Sequence, residues 1–287
     1  PLACSPDDDL NTTPLRDPLE VLAEDTAEIL SFLSTHFYNY EEFQNPPAGF
    51  NFMVQFDTIA GVNSDKTPLI NQVTLKNFDW FGIDYPIYVL MIDQGAGSQV
   101  AFADQTTVTY EGRLLDRRMF DSFVTPGNFD LTTTIPGFTA ALQEFKTADG
   151  FTIGGDNSLN YQNFGVGAFF LPSGIAFFAN PPTNSIVPTY APLIYSINVL
   201  ETVKLDHDND GLLSEYEDLN GDGILNNDDT DGDFVPNYLD SDDDGDNIPT
   251  SSENADPNGD GNPDDALIST PNGIPDYLNP EFPFFQN

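Results

Sequence analysis

The hydrophobic period of this chain changes twice. Over residues 18–38 the apolar positions Leu19, Leu22, Ile29, Leu30, Leu33 and Phe37 recur at helical spacing, which predicts an amphipathic helix with one buried face. Pro18 suits its first turn, Glu20 and Glu24 favour the positive end of its dipole, and Asn45-Pro46-Pro47 lies beyond its end. Residues 50–80 are mixed, with turn chemistry from Gly61 to Pro68. From about residue 84 the period becomes that of strands. Y-P-I-Y-V-L-M-I stops at Gly95 and Gly97, residues 100–102, 106–113 and 119–120 read as short strands, and residues 168–171 and 193–203 complete the set. Between them lie a turn at Ile135-Pro136-Gly137, one short helix over 138–146 and a Gly- and Asn-rich loop over 147–164. Strands around a single short helix predict an α+β domain with an antiparallel sheet.

Charge divides the chain more sharply. The formal charge is −39, and residues 206–287 hold 23 of the 47 acidic residues and none of the eight Lys and Arg. Apolar content of 39%, with 24 Phe and 11 Tyr, supplies a core for the preceding part. This sign of charge argues against nucleic acid as a partner, because phosphate binding needs Lys and Arg. It argues equally against electrostatic attraction to anionic lipid. Cys4 stands alone, so no internal disulfide can form, and no run of 18 apolar residues spans a bilayer as a helix. Leu2-Ala3-Cys4-Ser5, followed by Asp7, Asp8 and Asp9, resembles the junction of Bacteroidota surface lipoproteins. The resemblance implies lipidation of Cys4 and a membrane reached through the lipid, although three residues precede the Cys here.

Four blocks in the strand-rich part carry the chemistry. They are T-V-T-Y-E-G-R-L-L-D-R-R-M-F-D-S, T-I-P-G-F-T-A-A-L-Q-E-F-K, L-P-S-G-I-A-F-F and S-I-V-P-T-Y-A-P-L-I-Y-S-I-N-V-L. In this order and spacing, over roughly residues 84–203, they resemble the FKBP-type peptidyl-prolyl isomerases. The resemblance implies a pocket formed by Tyr110, Phe120, Asp121, Ile135, Phe138, Phe177, Val187 and Tyr195, with Ile186 on the overhanging loop. Phe138 would be the floor, and Phe120, Val187 and Tyr195 the walls. Asp121 and Tyr110 would bond to each other at the carbonyl end, and the Ile135 N–H would hold a flanking substrate carbonyl. Two positions depart from the family pattern. Phe177 stands where a Tyr usually offers its hydroxyl, and Phe178 replaces the Gly that usually follows.

The acidic tail is spaced. A 12-residue calcium loop draws oxygens from positions 1, 3, 5, 7, 9 and 12, with Gly at 6. Residues 206–217 fit with Asp206, Asp208, Asp210, the Leu212 carbonyl, Ser214 and Glu217. Residues 218–229 fit with Asp218, Asn220, Asp222, the Ile224 carbonyl, Asn226 and Asp229. A third set is Asp229, Asp231, Asp233, Val235, Asn237 and Asp240, and a fourth is Asp242, Asp244, Asp246, Ile248, Thr250 and Glu253. A fifth, Asp256, Asn258, Asp260 and Asp264, lacks a carboxylate at position 12. P-N-Y-L-D at 236–240 recurs as P-D-Y-L-N at 275–279, an internal repeat. The pattern resembles thrombospondin type 3 repeats, which implies roughly three to five calcium ions standing in for a core. Without them, repulsion should unfold the array.

The expected organisation is a lipoprotein tether over 1–17, a helical extension over 18–83, an isomerase domain over 84–203 and calcium repeats over 204–287. The resemblances imply an enzyme acting on X–Pro segments of exported client proteins at the bacterial outer membrane, with a secretion translocon as a partner. The rival expectation is a docking subunit in which the same fold binds without turnover and the repeats form a stalk.

Overall fold

The computed structural model describes residues 14–281; Cys4 and the expected tether up to residue 13 lie outside them. Strand period and burial on two faces set the layering. Six antiparallel strands form one sheet in the order β3-β4-β9-β10-β5-β6. Helix α1 (Pro18–Thr35) precedes them, followed by the small pair β1 (His36–Tyr38) and β2 (Phe56–Thr58), with the short helix α2 (Tyr40–Gln44) between. The sheet strands are β3 (Thr74–Trp80), β4 (Ile83–Asp93), β5 (Gln105–Leu114), β6 (Met119–Asp130), β9 (Gly165–Leu171) and β10 (Leu193–Val203). Helix α3 (Pro136–Leu142) follows β6, and the hairpin of β7 (Gly150–Ile153) and β8 (Leu159–Gln162) stands apart from the sheet.

Alternation along β10 shows how the sheet divides space. Leu193, Tyr195, Ile197 and Val199 join Phe138, Ala141, Leu142 and Phe145 in a core on the α3 side. Ile194 instead joins Ile29, Phe32, Leu33, Val54, Phe56 and Leu69 on the α1 side. There Ser196 Oγ donates to the Val54 carbonyl (2.8 Å) and Asn198 Nδ2 to the Asn51 carbonyl (3.0 Å). The N-terminal residues thus cover the second face of the sheet, and both faces of its central strands are dry.

Several expected elements shift for identifiable reasons. The boundary at residue 84 does not separate two cores, because β3 pairs with β4 from Thr74↔Val89 to Trp80↔Ile83. The hairpin turn is Phe81-Gly82, both at positive φ (52° and 78°), the backbone a tight two-residue hairpin requires. The extension over 18–83 is helical only in α1 and α2, and α1 ends at Thr35 because His36 turns extended and pairs with Thr58. Its buried stripe is Val21, Asp25, Ile29, Phe32 and Leu33, whereas Leu19 is exposed. Residues 100–102 form no strand, β6 runs on to Asp130, and the loop expected over 147–164 contains β7 and β8. After Val203 the regular elements among the described residues are short 3-10 turns. The repeats dock on the sheet domain through Leu225 and Tyr238 against Phe102 and Ala103. His207, half-buried there, places Nε2 3.3 Å from Asp130 Oδ2, and Lys204 reaches Asp104 (3.3 Å).

Candidate functional site

The residues singled out from 110 to 195 come together on the α3 side of the sheet. Tyr110 on β5 and Tyr195 on β10 are brought side by side by the Tyr110↔Ile197 and Tyr195↔Gly112 register, with ring centroids 5.7 Å apart. Phe138, in the first turn of α3, meets Tyr195 edge-on at 5.1 Å and Tyr110 at 5.9 Å. Phe120 on β6 stands at 5.7 Å from Tyr195. Its ring lies over Gly112, where an added Cβ would sit 2.6 Å from Phe120 Cζ, so a side chain at 112 would expel the ring. Phe177 faces Phe120 edge-on at 6.5 Å. Tyr110, Phe138, Tyr195 and Val187 are buried, Phe120, Ile135 and Phe177 half-buried, and Ile186 exposed. The surface is therefore an apolar floor with partly open aromatic walls.

One polar couple stands at its edge. The Tyr110 hydroxyl donates to Asp121 Oδ2 at 2.6 Å, and Asp121 Oδ1 accepts from the Ser122 N–H at 2.9 Å. Burial, and then the bond to Asp121, push the Tyr110 phenol well above its ordinary range, so it stays a donor. Burial does the same to Tyr195, helped by Tyr110 and Asp121. Ile135 is the residue before α3, and its N–H meets no acceptor among the described residues.

Two aromatics that the sequence left unplaced also belong here. Phe129 packs on Tyr110 at 5.7 Å and on Phe123 at 5.3 Å. Their signal was the β6 strand itself, which the sequence reading cut short at Phe120. Phe178 adopts φ 46°, the left-handed region that glycine enters freely and a bulky side chain rarely does. Its ring packs on Tyr190 at 4.9 Å, and the Tyr190 N–H donates to the Phe178 carbonyl at 2.7 Å.

In the acidic loops one local pattern recurs. The carboxylate at position 1 accepts from the N–H at position 6: Gly211 to Asp206 (3.1 Å), Gly223 to Asp218 (2.8 Å), Phe234 to Asp229 (3.0 Å) and Asn247 to Asp242 (3.1 Å). Position 5 accepts from position 7: Leu212 to Asp210, Ile224 to Asp222, Val235 to Asp233 and Ile248 to Asp246, at 2.7–2.8 Å. The fifth loop repeats the first bond, Gly261 to Asp256 at 2.6 Å. Backbone donors take both oxygens of Asp206, Asp218 and Asp229 but leave oxygens of several other carboxylates free. Asp208 Oδ2, Asp210 Oδ2, Asp242 Oδ1, Asp244 Oδ2 and Asp246 Oδ2 are buried without a partner. The sets Asp206-Asp208-Asp210, Asp229-Asp231-Asp233 and Asp242-Asp244-Asp246 each converge to within 4.8 Å. In the first and fourth loops these oxygen-only donors, converging and in part unpartnered, fit a hard divalent cation.

Position 9 of the loops and the end of the second loop differ from the expected ligand sets. The side chains at position 9 close the loops: Ser214, Asn237 and Thr250 accept from the N–H groups of His207 (3.2 Å), Thr230 (2.9 Å) and Asp243 (3.2 Å). Asn226 accepts from the Tyr238 hydroxyl instead (3.2 Å). Asp229 serves the third loop, while the buried Asp228 faces Asp218 and Asp222 of the second. Asp240 and Glu253 lie beside the carboxylates of the third and fourth loops, each pushed upward by burial and by those loops' carboxylates.

Known proteins share parts of this chain. A Neisseria meningitidis protein named as a probable FKBP-type peptidyl-prolyl cis-trans isomerase is 35% identical over 123 residues, 42% of this chain and 38% of that protein. The outer membrane protein MIP of Legionella longbeachae is 40% identical over 65 residues, 22% of this chain and 26% of that protein. The chain thus spans well under half the length of these relatives. Among solved structures, a Pseudomonas syringae peptidyl-prolyl isomerase superposes with a TM-score of 0.39 at 17% identity, over 67% of this chain and 100% of that one. FkpA from Escherichia coli gives 0.35 at 16% identity, over 64% of this chain and 63% of that one. A family described as BamM C-terminal matches residues 207–280. Over about two-fifths of its length, this chain is similar in sequence to a probable FKBP-type peptidyl-prolyl cis-trans isomerase.

Proposed function

We propose that the chain catalyses cis–trans isomerisation of X–Pro bonds in exported proteins. The observation that carries this reading is the Tyr110–Asp121 couple set beside an aromatic floor of Phe138 and Tyr195. Rotation about an X–Pro bond crosses a barrier of about 18–20 kcal/mol because twisting breaks amide resonance. No bond is made and no proton moves, so the site must favour the twisted amide over the planar one. Phe120, Phe138, Val187 and Tyr195 take the proline ring out of water. The carbonyl oxygen loses partial negative charge as resonance breaks, and the dry, mostly aromatic wall gives it few hydrogen bonds to lose. The Ile135 N–H holds a neighbouring carbonyl of the substrate, which fixes the chain on one side of the rotating bond.

In the same reading the acidic loops bind calcium through Asp206, Asp208 and Asp210, Asp229, Asp231 and Asp233, and Asp242, Asp244 and Asp246, with Glu217, Asp240 and Glu253 alongside. The ions would supply the positive charge that folds this segment, and take no part in isomerisation. Cys4 carries a lipid that places the enzyme at the outer membrane, facing exported clients beside a secretion translocon. The rival reading is a docking subunit without turnover. Phe177 favours it, since its ring lacks the hydroxyl a substrate backbone would bond.

The test is NMR exchange spectroscopy on a short X–Pro peptide in calcium, with wild type and Phe120→Ala. We expect the wild type to speed exchange and Phe120→Ala to lose at least tenfold while keeping its fold by circular dichroism. A wild type that leaves the exchange rate unchanged would sink the enzyme in favour of the docking subunit.

A further inference from the structure

Position 2 of the five acidic loops is occupied by His207, Leu219, Thr230, Asp243 and Pro257. Only the fourth loop has a carboxylate there. The sequence offers no reason for it, because positions 1, 3 and 5 of the same loop are already Asp242, Asp244 and Asp246.

The structure carries Asp243 across to the first loop. Asp210, Glu217 and Asp243 each present a carboxylate oxygen, all within 4.8 Å of one another. Each of the three residues is 2% exposed. Asp210 Oδ2, both oxygens of Glu217 and both oxygens of Asp243 are buried without a hydrogen-bond partner. No Lys or Arg occurs anywhere from 206 to 287 to neutralise them. Burying one unpaired carboxylate costs several kcal/mol by order of magnitude, and three in contact add mutual repulsion. Two oxygens on opposite sides of a calcium ion, at about 2.3–2.6 Å each, lie about 5 Å apart at most, so oxygens that all lie within 4.8 Å of one another are within reach of one ion.

We propose that Asp243 is a ligand of the cation gathered by Asp210 and Glu217, so that one divalent ion ties the first loop to the fourth. The proposal rests on the calcium reading of the array and adds a ligand from outside the loop. Its consequence is structural. The first site is incomplete until the fourth loop folds back onto it, so ion binding closes the array as a unit instead of loop by loop. The Thr250 hydroxyl, accepting from the Asp243 N–H at 3.2 Å, holds the backbone that delivers the carboxylate. The buried Tyr277, packed with Leu212 and Ala255, helps seal the same junction.

The experiment uses the full chain, stripped with a chelator, and the variant Asp243→Asn. Calcium is titrated calorimetrically, and thermal midpoints are read with and without calcium. The expected result has opposite signs in the two conditions. Without calcium, Asp243→Asn is at least as stable as wild type, because one member of a like-charge cluster is gone. With calcium, it loses one equivalent of binding or weakens it at least tenfold, and gains less in melting temperature. An Asp243→Asn protein that binds calcium with undiminished number and affinity overturns the proposal. So does one that is destabilised equally in both conditions, since Asp243 would then be packing alone. A wild type that binds no calcium overturns the calcium reading itself, a different failure from any of these.

Discussion

At the scale of single residues, the site's chemistry turns on hydroxyls and backbone sign. Phe177 faces Phe120 at 6.5 Å at the position where related isomerases usually have Tyr. If the chain is the isomerase proposed, a hydroxyl added here offers one hydrogen bond to substrate backbone, worth about 0.5–1.5 kcal/mol net. Phe177→Tyr should therefore tighten peptide binding about three- to tenfold, read as a lower KM or Kd in the exchange assay; unchanged affinity would mean that the substrate does not pass this ring. Phe234 shows the opposite situation. It is 94% exposed at φ 79°, at the loop position that the first two loops fill with Gly211 and Gly223. A left-handed backbone costs an L-residue about 1–2 kcal/mol, and Asn bears it better than Phe. Phe234→Asn should raise the calcium-loaded melting temperature by a few degrees. A lower midpoint would show that the ring is held by a contact outside this chain.

At the scale of elements, α1 is a buttress for the pocket wall. Asp25, on its buried stripe, accepts from the Ser173 N–H at 2.7 Å and from the Ser173 hydroxyl at 2.6 Å. Ser173 opens the segment that continues into Ala176, Phe177 and Phe178, and the Ser173 carbonyl receives the N–H groups of Ala176 and Phe178. At the other end of the segment, the Tyr190 hydroxyl accepts from the Arg16 N–H at 3.2 Å, and the Arg16 guanidinium lies 5.5 Å from the Tyr190 ring centroid. Helix α1 and Arg16, two residues before it, therefore pin the two ends of the loop that carries Phe177, Ile186 and Val187. Burial raises the Asp25 carboxyl above its usual range, partly offset by the two bonds from Ser173. Asp25→Ala leaves two buried donors unpaired, which costs about 1–3 kcal/mol. The expected outcome is a lower melting temperature together with a raised KM for the peptide. A stability loss with KM unchanged would confine α1 to a packing role.

At the scale of the whole molecule, charge decides whether the C-terminal third folds. In the absence of ions, burial and then the nearby Asp210 and Asp208 push Glu217 up to about 10 and Asp243 up to about 9. Burial and then Asp244 push Glu253 up to about 8. In the unfolded chain these groups titrate near about 4. Folded values above unfolded ones mean that folding takes up protons. Their contribution is complete below the unfolded values and is lost as pH climbs toward 8–10. In chelator, the melting temperature should accordingly fall from pH 5 to pH 8. In calcium the trend should flatten or reverse, because the ion binds only ionised carboxylates. Scanning calorimetry at both pH values, with and without calcium, checks this; a midpoint in chelator that rises with pH would contradict it.

The division between sequence and tertiary structure follows from range. Sequence determined what depends on near neighbours. The strand period over β4, β5 and β10, the helical period of α1, the loop spacing of Asp206 to Glu253 and the aromatic blocks around Tyr110, Phe138 and Tyr195 are all local patterns, and the structure keeps them. It missed the Phe81-Gly82 hairpin, because a Phe at positive φ gives no turn signal, and so placed the sheet's first strand outside the domain. Only tertiary structure could decide which face of α1 is buried, since Asp25 is polar until Ser173, 148 positions away, bonds it. Only tertiary structure could bring Asp243 to Asp210 and Glu217, or choose Asp228 over Asp229 for the second loop. Each of those outcomes depends on partners far along the chain, and an isolated carboxylate carries no mark of the neighbour that will bury it.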